Sequence, residues 1–289
     1  MIIGKIIGGL GNQMFQYTFY EYLSNLKNLN LKVDLSPFEN YSLHNGYELE
    51  RAFGLTLQPA SDIECNRLKT KFPISFKVEN KILNKNILFG KTHFAERNFY
   101  LNPNIFKCNY PDFYVEGYFQ TDKYAKHFES FTREAFTFKT QLTKSEHELL
   151  TGNCVSIHIR GGDYIGVKAN NLLFGGICTQ HYYQQAITKI KQLVKNPHFL
   201  IFTNDVNHAK SILKHENFKI VNWNTGNNSF RDMYLMSLCK HNIIANSSFS
   251  WWGAWLNSHA DKIVISPKKW INGDKINQKD VIPSSWVKL

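Results

Sequence analysis

At 289 residues with 43% hydrophobic side chains, the chain can bury the core of two ordinary domains or one large one. Its apolar runs, such as Ile2 to Ile7 broken by Gly4 and Lys5, are far shorter than the ~20 residues of a membrane span, and no basic segment leads into an apolar one. A membrane anchor and a secretory signal are therefore not expected, and a cytoplasmic location fits. The balance of 34 Lys+Arg against 23 Asp+Glu leaves a formal charge of +11, which favours an anionic partner. The basic residues are scattered, so a phosphorylated small molecule is preferred and nucleic acid is set aside; peripheral association with an anionic membrane surface stays open. Five cysteines (Cys65, Cys108, Cys154, Cys178, Cys239) are odd in number and form no C-x-x-C pair, which argues against a disulfide framework and a zinc site.

In chain order, Ile2 to Ile7 reads as a strand, followed by a glycine turn, a helix from about Met14 to Ser24 and a second strand around Leu31 to Leu35. Residues 40–110 show no clean period. A strand at Phe113 to Tyr118 and a helix beginning near Thr121 follow. The polar stretch Gln141 to Asn153 is the expected boundary, dividing the chain into domains at 1–150 and 151–289. Beyond it, strands at Cys154 to Arg160, Phe199 to Thr203, Phe218 to Trp223, Asn242 to Ala245 and Lys262 to Ser266 alternate with helical patterns. Examples are Tyr183, Ile187, Ile190, Val194 and, later, Phe230, Met233, Tyr234, Leu238. Such alternation predicts an α/β fold, a parallel sheet with helices on both faces.

Four stretches carry chemistry. In "IIGGLGNQMFQY" (residues 6–17) a strand meets Gly8, Gly9 and Gly11 and then a helix; Asn12 and Gln13 are either a cap or donors to a ligand at the helix N-terminus. Gly9 and Gly11, with Asp34 at the end of the next strand, partly match a dinucleotide fingerprint, but Met14 replaces its third glycine, which weakens a nicotinamide reading. In "VSIHIRGGDY" (155–164), His158 and Arg160 lie at the end of a strand, where ligands of open α/β sheets bind. Gly161 and Gly162 let the backbone turn, and the planar fork of Arg160 suits a pyrophosphate or, alternatively, pairs with Asp163 to close the turn. "IFTND" (201–205) ends in Thr203, Asn204 and Asp205, whose side chains can reach a ribose or an acceptor sugar, while Asp205 can alternatively cap the next helix. In "NIIANSSFSWWGAWL" (242–256), Asn246, Ser247, Ser248 and Phe249 stand at a strand-to-helix junction, an anion cradle; Trp251, Trp252 and Trp255 read as core. No D-x-D pair, P-loop, H-E-x-x-H or G-x-S-x-G occurs, so no metal is expected and the leaving phosphate must be neutralised by protein groups.

Together, "GGLGNQMFQY", "GYFQ" at 117–120, "HIRGGDY" at 158–164 and "NSSFSWWGAWL" resemble, in order and spacing, the α1,2-fucosyltransferases of glycosyltransferase family 11, particularly the bacterial members. The resemblance implies a GT-B architecture: two Rossmann-like domains with parallel sheets facing across a cleft, the acceptor side in 1–150 and GDP-fucose held in 151–289. It implies metal-independent, inverting transfer of L-fucose from GDP-β-L-fucose to the 2-hydroxyl of a galactose-terminated glycan, of the kind built into O-antigens. His158 and Arg160 match the His-x-Arg-Arg-x-Asp motif, which places Arg160 at the β-phosphate and makes Asp163 the motif's acid. Asn246, Ser247, Ser248 and Phe249 match the phosphate-binding segment; Gly11, Asn12 and Gln13 match the N-terminal motif. The motif's second arginine is Gly161 in this sequence.

Overall fold

The structure is a computed structural model that describes residues 1–40, 44–69, 87–89, 92–96, 98–107, 109–161, 168–213, 218–273 and 276–289, with 87–89 described by backbone alone. The chain separates into two compact units, Met1–Thr137 with Asp274–Val281 and Phe138–Gly273 with Ile282–Leu289.

The first unit contains β1 (Ile2–Lys5), α1 (Leu10–Lys27), β2 (Leu31–Asp34), α2 (Leu49–Phe53), α3 (Asp62–Leu68), β3 (Ile87–Phe89), β4 (His93–Ala95), β5 (Phe113–Glu116), α4 (Asp122–His127) and α5 (Glu129–Ala135). Its sheet runs β2-β1-β5-β4-β3. All pairs are parallel except β3 with β4. Only three residues separate these two strands, too few for a crossover, so they can pair only as a hairpin. Helix α1 begins at Leu10, four residues before the position expected, because the N–H groups of Asn12 and Gln13 already bond to Gly9 O at 2.9 and 3.2 Å. Gly9 is thus the N-cap and Asn12 is not. Phe19, Tyr20 and Leu23 of α1 pack over Ile2, Val33, Phe113 and Val115, while Cys65 and Leu68 of α3 cover Ile3 and Tyr114 on the other face.

The second unit contains α6 (Lys144–Leu149), β6 (Cys154–Ile159), α7 (Lys168–Phe174), α8 (Gln180–Leu193), β7 (His198–Thr203), α9 (Val206–Ile212), β8 (Phe218–Val221), α10 (Phe230–Leu238), β9 (His241–Ile243), α11 (Ser248–Leu256), β10 (Val264–Ser266) and β11 (Val287–Lys288). The sheet order is β11-β10-β9-β6-β7-β8, parallel throughout. On one face Tyr183, Ala186, Ile187 and Ile190 of α8 meet Val155, Ile157, Ile201 and Ile243. On the other, Leu149, Leu235 and Met236 meet Cys154, Leu200 and Phe202. Burying a side chain such as Ile187 or Ile190 contributes ~1.5–3 kcal/mol. With both faces covered, every residue of β6 is buried, including the polar Ser156 and His158. Ser156 is satisfied by Asn242 Nδ2 at 2.8 Å. Segment 138–149 belongs to this unit: Arg231 of α10 donates to Gln141 O at 3.1 Å and to Glu146 Oε1 at 3.2 Å. Trp251, Trp252 and Trp255 are buried against one another, and Trp251 also meets Trp286, as core.

Candidate active site

In each unit the polar motif residues gather where the strand order reverses. In the second unit the chain runs from β6 outward through β7 and β8 and then returns to β9 on the opposite side of β6. The carboxyl ends of β6 and β9 therefore flank the switch point at which open α/β sheets bind ligands. Pairing between these strands stops at Ile157 and Ile243, whereas β6 continues beside β7 to Ile159 and Thr203. Two adjacent tyrosines of α8 take up carbonyls near the parting. Tyr183 OH donates to His158 O at 2.9 Å, and Tyr182 OH donates to Ile244 O at 2.6 Å. The phenols fix the backbone from which Arg160 and the Asn246 segment project.

Arg160 leaves the end of β6 half-buried and carries a planar guanidinium cation. Gly161 N donates to Asn204 Oδ1 at 3.0 Å, and a Cβ on Gly161 would sit 2.8 Å from the Asp205 Cβ. A second motif arginine has no room here unless Asp205 moves. Asp205 Oδ1 accepts the His208 N–H at 2.9 Å and so caps α9, the structural alternative for this residue. Burial, reinforced by the charge of Arg160, lowers the His158 pKa to about 3. At neutral pH the imidazole is uncharged. Its Nδ1 is buried with no hydrogen-bond partner among the described residues, and its ring lies 6.0 Å from that of Phe249. His158 is therefore not a second cation beside Arg160. Asp163 lies outside the described residues.

Past β9, Asn246 donates to Phe174 O and Trp270 O, both at 3.2 Å, and its Oδ1 is 3.4 Å from Cys178 Sγ. These bonds commit its amide to the framework. Ser247 occupies the N-cap of α11 without a side-chain cap bond. The opening N–H groups of a helix have no intrahelical acceptor, so those of Ser248 and Phe249 are available to an anion, supported by the positive end of the helix dipole. Arg160 and this helix start supply cation and amide donors at the two strand ends that flank the switch point.

In the first unit the same reversal falls between β1 and β5, and the two N-terminal motifs flank it. Gln16 Oε1 accepts Ile7 N–H at 3.0 Å while its Nε2 donates to Gly117 O at 2.9 Å, and Gln120 Nε2 donates to Asn12 Oδ1 at 2.8 Å. Gly11 is buried in the first turn of α1. Gln13 Nε2 donates to Gly8 O and Gly46 O, both at 2.8 Å, and its Oε1 accepts Glu48 N–H at 2.9 Å. Both amide donors are thereby matched by backbone acceptors, so Gln13 pins the 46–48 loop rather than offering a donor to a ligand. Asn204, expected from sequence to reach a sugar, instead holds the Gly161 N–H, whereas the sequence alone does not mark Gln16, Gln120, Tyr182 and Tyr183 as site residues. Gln16 and Gln120 lie inside the motifs already quoted, but nothing local says whom they meet. Asp34 is buried. Although burial favours its neutral form, bonds from Lys69 (2.7 Å), Ser36 (2.6 Å) and Tyr114 (2.6 Å) hold its pKa down to about 2. An acid so fully engaged is not a ribose-binding residue, which removes the dinucleotide reading.

Two Rossmann-like α/β units, each with a switch point between parallel strands, form the GT-B fold. The fold agrees with that of fucosyltransferase NodZ from Bradyrhizobium, with a TM-score of 0.54 over 88% of this chain and 92% of that one, at 13% identity. Residues 4–289 match Glycosyl transferase family 11, and the chain belongs to that family. It is 33% identical to an Escherichia coli alpha-1,2-colitosyltransferase, over 100% of this chain and 99% of the relative, and 33% identical to the E. coli O-antigen biosynthesis glycosyltransferase WbnK, over 98% of each. No helix among the described residues is long and apolar enough to cross a membrane.

Proposed function

We propose that the protein transfers L-fucose from GDP-β-L-fucose to the 2-hydroxyl of a terminal galactose in a surface glycan, with inversion and without a bound divalent metal. The observation that carries the reading is the placement of Arg160 and the start of α11 at adjacent strand ends of one switch point. As the bond from fucose to the β-phosphate breaks, negative charge grows on the departing GDP. Preorganised donors aimed at that charge lower the barrier, and removing one typically costs ~10²–10³-fold in rate. Arg160 supplies the charge, the N–H groups at Ser248 and Phe249 and the Ser247 hydroxyl supply dipoles, and neutral His158 adds no competing cation. The amide-lined switch point of the first unit suits a neutral, hydroxyl-rich acceptor, since side-chain amides both donate and accept.

A second reading keeps this machinery and changes the sugar to colitose, the 3-deoxy counterpart of fucose. It is favoured by the full-length 33% identity to the E. coli colitosyltransferase. One set of measurements tests both: GDP release in EDTA from GDP-fucose and from GDP-colitose, with and without lactose, and NMR of the product. Acceptor-stimulated release from GDP-fucose with an α1,2 linkage is the expected result. A kcat/KM that favours GDP-colitose selects the second reading. Dependence on added Mg²⁺ or Mn²⁺ overturns the metal-independent mechanism.

A further inference from the structure

One aromatic of the first unit is not explained by packing. Tyr118, two residues past β5, is 41% exposed, whereas Phe119 beside it is 1% exposed and stacks on Phe19 with ring centroids 3.9 Å apart. Phe119 holds this arrangement at φ 49°, in the left-handed region that bulky residues seldom enter and that persists only where the surroundings impose it.

The imposing group is Glu96, one residue past β4. Its Oε2 accepts the Phe119 N–H at 2.6 Å, and its own N–H donates to Glu116 O at 2.8 Å. Burial pushes the Glu96 carboxyl well above the usual range, against backbone bonds from Phe119 and Tyr118 that favour its charged form. Oε1 is buried and has no hydrogen-bond partner among the described residues. A Cβ on Gly117 would lie 2.5 Å from the Glu96 Cβ, so only glycine lets the turn close on the carboxylate. A buried carboxyl group and a strained phenylalanine thus combine to turn one tyrosine outward at the carboxyl end of β5, where the β1–β5 switch point opens. Phe99 stands edge-on to it, centroids 6.5 Å apart at 77°, with its backbone N–H bonded to Asn277 O at 2.7 Å.

We infer that Tyr118, flanked by Phe99, is the stacking platform for the galactose ring of the acceptor, and that Glu96 is the positioning residue that presents it. The inference rests on the galactoside acceptor of the proposed function. One face of galactose carries C3–H, C4–H and C5–H, an apolar patch that matches an exposed aromatic ring. Stacking through that face leaves the 2-hydroxyl on the ring edge, open to reaction. The nearby Asn12 and Gln120 amides suit the remaining hydroxyls.

The test uses the full chain with lactose as probe, saturation-transfer NMR for contact and initial rates with GDP-fucose for KM and kcat, with thermal melts as the folding control. In the wild type, saturation is expected to reach galactose H3, H4 and H5. Tyr118→Ala is expected to remove that pattern and raise the lactose KM about tenfold, and Tyr118→Trp to keep both near wild type. Glu96→Ala is expected to act on KM rather than kcat, and Glu96→Gln, whose amide oxygen can accept the same N–H, to restore it. A Tyr118→Ala protein with wild-type KM and saturation pattern overturns the platform while leaving the proposed function standing. A Glu96→Gln protein that loses kcat at unchanged lactose KM overturns the positioning role and makes Glu96 the proton acceptor. A wild type that hydrolyses GDP-fucose but neither binds nor uses lactose overturns the platform and the galactoside reading together.

Discussion

The two switch points share a topology and differ in what their polar groups are committed to. In the first unit, Gln16, Gln13, Asn12 and Gln120 are hydrogen-bonded to backbone or to one another. In the second, Asn246 and Asp205 are similarly engaged, but Arg160 brings a guanidinium cation and the start of α11 is not capped by Ser247. The difference teaches that a Rossmann-like sheet fixes where a ligand goes, while the residues just past the strands fix its charge. A neutral amide lining suits hydroxyls; a guanidinium beside a helix start suits a diphosphate.

The sharpest way to break this contrast is Arg160→Ala. It is expected to lower kcat on the order of 10²-fold or more with little change in melting temperature, measured by GDP release and thermal denaturation. A folded variant with wild-type turnover would remove the anionic role from the second switch point. Next comes Gln16→Leu, which strands the Ile7 N–H and the Gly117 carbonyl in a partly buried setting. Each such group costs ~1–3 kcal/mol, so a urea titration should show a loss of a few kcal/mol; a loss below ~1 kcal/mol would mean the network is not structural.

Restoring the absent motif arginine, Gly161→Arg, is expected to destabilise by about 1–3 kcal/mol, because the new Cβ meets that of Asp205 at 2.8 Å. Adding Asp205→Gly should recover part of that loss of steric fit, and its failure to do so would place the conflict elsewhere. The effect that is smallest at neutral pH is a pH dependence. With the pKa of His158 depressed to about 3, the unfolded chain takes up a proton that the folded one refuses. This contribution to stability is complete above about pH 6.5 and declines as pH falls toward 3. An NMR titration in which the His158 imidazole protonates near 6.5 would contradict its burial beside Arg160.

Much of this was legible in the linear chain. Period-two and buried apolar runs located β1, β5 and the strands of the second unit other than the two-residue β11, and glycines followed by polar residues marked the junctions where both switch points form. Residues 40–110 were opaque because α2, α3 and the β3–β4 hairpin are three to seven residues long, too short to establish a period. The start of α1 was misplaced because Gly9 caps it by backbone conformation alone, with no side chain to announce the cap.

The sequence by itself determined the periodicity of the elements, the glycine-bearing turns, and the residue types available where strands end. Only the tertiary structure decided which of those residues are committed and which are offered. Gln16 finds Gly117 across 101 positions, Asp205 closes on Gly161, and Glu96 turns Tyr118 outward while Phe119 enters the core. A side-chain amide or carboxylate carries the same donors and acceptors wherever it stands. Its role is set by the partner that folding brings within about 3 Å, and that partner is remote in sequence.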